Sequence, residues 1–229
     1  MDQDKKKKII DARLRLRARF KNKIEQSPSL TDPSPLGTGA KNRHNMPKIP
    51  VGQHETQNWP VLDLGIHPEL SFEQWSLQID GAVTTPQNLS WSEFLAMEQV
   101  EDISDFHCVT TWSKMDITWR GVRLAHLLAL SEPKPEACHL MCHAYDGYTT
   151  NVSMEEALKD DVLLVHTADG APLTREHGGP VRMITPQLYA WKGAKWIKRI
   201  EVLTEEALGF WEKRGYSNTA YPWKNDRYS

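Results

Sequence analysis

Long apolar runs are missing from this chain: no stretch approaches the ~20 residues needed to span a bilayer. Lys5 to Lys8 lead through Ile9-Ile10 into arginines, so neither a signal-peptide centre nor a paired-arginine export signal followed by such a centre is present. Cysteine is scarce and odd in number, three residues in all, which fits a reducing compartment better than a disulfide-stapled exterior. A cytoplasmic protein is the expectation. Excess positive charge is lacking too: a formal net charge of −2 argues against nucleic acid as the partner of the main body. Internal repeats, phosphate-loop motifs and Ser/His/Asp arrangements are likewise absent.

What charge there is lies unevenly. Residues 1–26 hold ten Lys/Arg against four Asp/Glu, leaving +6 on this arm and −8 on the remaining 203 residues. Leu16, Phe20 and Ile24 recur at helical spacing among the basic residues, the pattern of an amphipathic helix lying on an anionic membrane surface or an acidic protein. Arg13, Arg15, Arg17 and Arg19 spread charge around that helix and narrow its apolar stripe, so a solvated, frayed arm is the preferred expectation. Pro28, Pro33, Pro35, Pro47, Pro50 and Pro60 make residues 27–60 irregular, extended chain, a linker or wrapping arm. The division expected is a basic arm and proline-rich linker over 1–58 and one domain over 59–229.

From Trp59 onward the texture is short strands and short helices. Trp75 to Ile79 alternates like a half-buried strand, and Ser90 with Glu93 makes a capping-box signature for a helix through Met97. Leu124, Leu127 and Leu128 mark another helix. Cys138 to Ala144, Val162 to Thr167, Val181 to Thr185 and Trp196 to Leu203 read as strands, with Ser153 and Glu156 capping a short helix and Asp169-Gly170 turning the chain. Without regular βαβ spacing, this predicts a sheet-rich α+β domain.

Three segments carry candidate chemistry. In Asp105-Phe106-His107-Cys108-Val109-Thr110-Thr111-Trp112-Ser113 a cysteine between apolar segments suggests a buried loop holding a soft-metal ligand or a nucleophile. A nucleophile assisted by His107 is disfavoured, because adjacent residues on an extended chain point to opposite sides. The second segment is the loop 145–151, YDGYTTN. The third, His177-Gly178-Gly179-Pro180-Val181-Arg182 leading to Lys192-Gly193-Ala194-Lys195-Trp196, combines glycines, an arginine and lysines, which suits an anionic cofactor. Cys138, His139, Cys142 and His143 invite a zinc reading, but on a strand the cysteines face one side and the histidines the other. His126, within a leucine-rich run, reads as structural.

HGGPVR at 177–182, then Pro186 and Lys195-Trp196, resembles the pterin-binding signature of the sulfite oxidase molybdopterin-domain family. HCVTTWS at 107–113, followed by Asp116, Trp119, Gly121 and Val122, resembles the molybdenum loop of the bacterial methionine sulfoxide reductase catalytic subunit. FHCVT, YDGYTTN, EHGGPVR and LYAWK together resemble the stand-alone bacterial sulfite-oxidase-like oxidoreductases. The resemblance runs from about Trp59 to the C-terminus. It implies the sulfite-oxidase-type molybdopterin-binding fold and Mo-molybdopterin as cofactor, with the Cys108 thiolate as the single protein ligand of molybdenum. His177 and Arg182 would hold the pterin and its phosphate, Gly193, Ala194 and Lys195 would close over the same group, and Tyr148 would be the catalytic tyrosine that hydrogen-bonds the metal-bound oxygen or the substrate, the alternative being a tyrosine packed on a turn. His107, beside the metal ligand, is expected to contact the cofactor, the alternative being a bond to a buried carbonyl. Sulfite oxidases carry an arginine shortly after the molybdenum cysteine; Trp112 and Ser113 stand there here, which favours a sulfoxide or N-oxide over sulfite. With no haem or dimerisation domain in the sequence, electrons are expected to pass to or from a separate partner. A non-catalytic binding module on the same fold is the alternative, distinguished by cofactor content.

Overall fold

The computed structural model describes residues 2–25 and 34–229; the reading of Pro28 and Pro33 as linker falls outside them, as does the side chain of Ile24. In chain order come helix α1 (Asp2–Glu25) and strands β1 (Gly37–Lys41), β2 (Pro47–Pro50), β3 (His54–Glu55), β4 (Ser76–Gly81) and β5 (Gln87–Ser90). Helix α2 (Trp91–Ala96), strands β6 (Val100–His107) and β7 (Trp112–Arg123) and helix α3 (Leu124–Ser131) follow. Strands β8 (His139–Ala144) and β9 (Thr149–Ser153), helix α4 (Met154–Ala157), and strands β10 (Leu163–Ala168), β11 (Ala171–Pro172), β12 (Arg182–Ile184) and β13 (Ile197–Leu203) complete the chain.

Period-two alternation decides which faces are buried. In β7, Met115, Ile117 and Trp119 turn inward while Asp116 and Arg120 face out. β7 pairs antiparallel with β6 on one edge; on the other it meets β10 antiparallel and β3 parallel, and β10 in turn pairs with β11 and β12. Gly121 is where β7 and β10 pass closest, since a Cβ there would lie 2.0 Å from the Leu164 carbonyl oxygen. The second sheet runs β5-β4-β13-β8-β9, antiparallel except for the β4/β13 pair. Leu77, Ile79, Leu140, Ile200 and Val202 from this sheet meet Val122, Leu164 and Met183 from the other in one core. Helix α3 adds Leu124, Leu127 and Leu128, each worth roughly 1.5–3 kcal/mol on full burial.

The caps are those the sequence predicts. Ser90 and Glu93 exchange both capping-box bonds at α2, and Ser153 accepts from the Glu156 amide at α4. Three expectations change. Thr149, Thr150 and Asn151, read as the end of a loop over 145–151, open β9, because the β-branched residues pair with β8. His126 faces solvent on α3. Helix α1 is a continuous, docked helix and not a frayed arm: Lys6, Ile9, Ile10, Arg13, Arg17 and Phe20 face the body, whereas Leu16 is 37% exposed. Phe20 meets Tyr228 edge-on at 5.6 Å, Lys6 lies over the Phe210 ring, and Ile10 packs on the cluster that contains Cys108. Aliphatic stems of basic residues cover apolar surface here, so a stripe counted in apolar letters alone points to the wrong face. Residues 37–55 form the β1/β2 hairpin and β3, and the amide of Leu36 and the indole of Trp223 tie them to the C-terminal segment.

Candidate active site

The β6/β7 hairpin presents Cys108. Its connection is only residues 108–111, closed by bonds from the Cys108 amide to Trp112 O (2.9 Å) and from the Thr111 amide to Cys108 O (3.1 Å), with Thr111 at φ +80°. Three outside groups clamp carbonyls of this turn: the His54 amide donates to Thr111 O, Gln53 Nε2 to Cys108 O, and Arg227 Nη1 to Val109 O. A sulfur on a turn held this way has little freedom to relocate. Cys108 is 6% exposed, unpaired in any disulfide, with Sγ 3.1 Å from Thr110 Oγ1. Burial pushes its thiol up, opposed by the Thr110 bonds and by the charges of Arg13 and Arg227.

The same cleft reaches His177, Arg182, Gly193 and Lys195. His177 stacks on Trp59 at 4.0 Å and 23°. Its Nε2 donates to Trp59 O (3.0 Å), which leaves Nδ1 to accept from the Thr174 hydroxyl (2.9 Å) and fixes a neutral tautomer. Burial lowers its pKa, as does the charge of Lys195 and Arg182 against the Trp59 bond. Arg182 is 2% exposed and donates to the carbonyls of His177 (3.1 Å) and Gly193 (3.4 Å), with Phe106 4.9 Å from its guanidinium carbon. No carboxylate pairs with it among the described residues, and burial lowers its pKa to about 9. Lys195, lowered to about 8 by burial and by Arg182, donates to Glu176 O (2.6 Å) and lies 3.4 Å from Asp63. Gly178 (φ +105°) brings the turn against Lys195 and Arg182; a Cβ on it would sit 3.0 Å from each of their Cβ atoms.

Other predicted residues fall around this cleft differently. Ala194 is buried and accepts from the Met183 amide, behind the wall that Gly193 and Lys195 form. Tyr148 lines the cleft, its hydroxyl donating to Trp191 O (2.6 Å), and burial raises its pKa well above the usual phenol range. His107 points away from Cys108: Nδ1 meets Ser113 Oγ at 2.8 Å, Nε2 is buried without a partner, and burial lowers its pKa to about 3. The Cys108/His107 nucleophile pair is therefore not formed. Trp112 walls the cleft while Ser113 lies behind it with His107. On β8, His139 and His143 pair with Glu206 and Glu201 while Cys142 is buried, and no group of three metal-capable side chains converges among the described residues.

Sequence reasoning missed Trp59, Asp63, Arg13, Arg227 and the Lys192–Glu212 pair. That pair is 2.8 Å apart and fully buried, and Lys192 also donates to Asn151. Only Lys192 had a local signal, its place in the glycine-lysine segment. The others reach the site from distant parts of the chain.

The cleft fits a pterin carrying a phosphate and a soft metal. A buried guanidinium with no counter-ion among the described residues calls for an anion, the glycine turns let that anion approach backbone, and a buried thiol in the same lining supplies the soft ligand.

The model of the oxidoreductase molybdopterin binding domain matches residues 64–211. Over 183 residues the chain is 39% identical to the uncharacterized oxidoreductase YuiH of Bacillus subtilis, covering 80% of this chain and 92% of that one. Against the protein-methionine-sulfoxide reductase catalytic subunit MsrP of Gluconobacter oxydans it is 31% identical over 157 residues, 61% of this chain and half the length of that relative. The fold matches sulfane dehydrogenase SoxCD of Paracoccus pantotrophus at a TM-score of 0.59 and 22% identity, covering 66% of this chain and 43% of that one. A sheet fold like that of a molybdopterin enzyme, with a thiol and a buried arginine lining one cleft, is thus joined by a family match over residues 64–211, and the chain belongs to the oxidoreductase molybdopterin-binding family.

Proposed function

We propose that the protein is a reductase of small S-oxides or N-oxides, working by two-electron oxygen-atom transfer. One sulfoxide, two electrons and two protons give one sulfide and one water, the S–O bond breaking and its oxygen leaving as water; an N-oxide gives the amine by the same balance. Bound molybdenum would supply the two-electron oxygen exchange. The chain's own work is to hold and enclose. Cys108 would ligate the metal from a clamped turn, Arg182 and Lys195 would take the phosphate, and His177, stacked on Trp59, would line the pterin region. Trp112, Trp211 and Tyr216 exclude water beside the sulfur.

The observation that carries the substrate class is this aromatic wall. It suits a substrate whose oxygen is strongly dipolar but whose body is apolar, and the named activity of the MsrP relative concerns a sulfoxide. That relative is a catalytic subunit, which supports a separate redox partner as electron source. Three unpaired cysteines support a reducing compartment, the cytoplasm, as the place of reaction. The exposed Lys5, Lys7, Lys8, Arg15 and Arg19 of α1 support a peripheral contact with an anionic membrane surface or acidic protein.

The test is turnover by metal-loaded protein with a reduced viologen dye, offering dimethyl sulfoxide and trimethylamine N-oxide, beside sulfite with an oxidising dye. Reduction of an oxide substrate is expected; appreciable sulfite oxidation with no oxide reduction would overturn the reading.

A further inference from the structure

Helix α1 carries a cation to the sulfur end of the cleft. Arg13 lines that cleft together with Cys108, Trp112 and Tyr216. The helix on either side is anchored: Ile10 packs on the Cys108 cluster, Phe20 meets Tyr228, and Arg17 rests on Gly215, where a Cβ would lie 2.2 Å from its Nη2. Arg13 is thus held at the wall by its neighbours, one helical turn away in each direction.

The other cations are already engaged or lie elsewhere. Arg227 reaches the Cys108 turn but is fixed on the carbonyls of Val51, Gly52 and Val109. Lys195 is held by Asp63 and Glu176 O, and Arg182 sits against His177 and Gly193. No hydrogen bond or ion pair engages Arg13 among the described residues.

We propose that Arg13 is a substrate-binding residue, donating guanidinium N–H bonds to the oxygen of the bound S-oxide or N-oxide beside Cys108. This rests on the oxygen-transfer reading above. An S–O or N–O oxygen carries most of the substrate's negative charge, and a guanidinium offers donors only, so the pairing is charge-assisted and directional. The N-terminal helix then forms one wall of the substrate site, and the acceptor's oxygen is gripped from the helix while its apolar body meets the aromatic wall.

Three variants of the full chain test this: Arg13→Met, which keeps the stem and removes the charge, Arg13→Lys, and Arg15→Met on the exposed face as control. For each, molybdenum per chain, KM and kcat for dimethyl sulfoxide, and sulfate affinity by quenching of tryptophan fluorescence are measured. Arg13→Met should keep wild-type metal, raise KM about tenfold or more with a smaller change in kcat, and weaken sulfate by a similar factor. Arg13→Lys should recover part of both, and Arg15→Met should match wild type. Wild-type KM and sulfate affinity in Arg13→Met would overturn the inference, as would loss of metal in that variant, which would make Arg13 a cofactor ligand. If wild-type protein turns over no oxide yet its sulfate affinity still depends on Arg13, the oxygen-transfer reading fails while the anion contact of Arg13 stands; the titration runs on the same samples whatever their metal content.

Discussion

Arg182 is the residue that explains itself least as structure and best as function. A guanidinium 2% exposed, with no carboxylate paired to it among the described residues, is a cost to the empty fold that a bound phosphate would offset. Arg182→Met should therefore leave the melting temperature of cofactor-free protein unchanged or raised while lowering its pterin content several-fold; a large loss of stability would mean that the carbonyl bonds of Arg182 are its main role. Asp105 offers a related test through pH. Burial raises its carboxyl, despite the bond from the Asp116 amide, and the Asp116 charge raises it further. A carboxyl raised in the fold adds stability below its unfolded pKa and loses that contribution as pH rises through the folded value. Asp105→Asn, which keeps the acceptor, should stabilise at pH 7, with the gain vanishing below about pH 4; thermal melts across that range check it. At this scale the sequence marks Cys108, His177 and Arg182 as candidates, because each lies in a short motif, HCVTTWS or HGGPVR, that resembles the family's. Trp59 stacks on His177 from 118 positions away, and Arg227 clamps the Cys108 turn from the far end of the chain, so neither has a local signature.

Among the elements, the capped helices α2 and α4 are legible because their bonds are made within four residues. Strand β6 is not: Glu101, Asp102 and Asp105 oppose strand propensity, and only pairing along β7 makes it one. Helix α1 is harder still, since its docked face is half basic. Phe20→Asp together with Ile10→Asp should release it, and tryptic cleavage after Arg13, Arg17 and Lys21 should accelerate about tenfold or more over wild type; unchanged cleavage would mean the helix is held by other contacts. The Lys192–Glu212 pair ties the 190–192 turn to β9 and the C-terminal segment, with Thr150 and Trp191 also donating to Glu212. Lys192→Met leaves that carboxylate buried and unpaired, at a cost of about 3–5 kcal/mol in denaturant unfolding. A loss under about 1 kcal/mol would show that Thr150 and Trp191 suffice.

Across the whole molecule, acid stability should follow two long-range carboxylates. Burial alone would raise Asp161, but bonds and charge from His44, Gln187 and Arg43 outweigh it and hold it below the usual range. Asp63 is lowered likewise, with Lys195, the Gly65 amide and His67 outweighing burial. A depressed carboxyl gives stability that is present above its unfolded pKa and is lost as pH falls through the folded value, so unfolding should set in below about pH 4. Asp161→Asn with Asp63→Asn should flatten that limb. The sheet-rich α+β class is legible from strand and cap signals, while the order β5-β4-β13-β8-β9 is not, because its β4/β13 pair joins segments more than a hundred residues apart. The central claim, that Cys108 and the arginine-bearing wall hold Mo-molybdopterin between them, is tested most directly by elemental molybdenum and pterin fluorescence on protein from a pterin-competent host. Wild type and Cys108→Ala should differ: near one molybdenum per chain in the first, little or none in the second, with pterin still detectable in both through Arg182. Wild-type protein carrying neither metal nor pterin, or Cys108→Ala keeping full metal, would contradict the account.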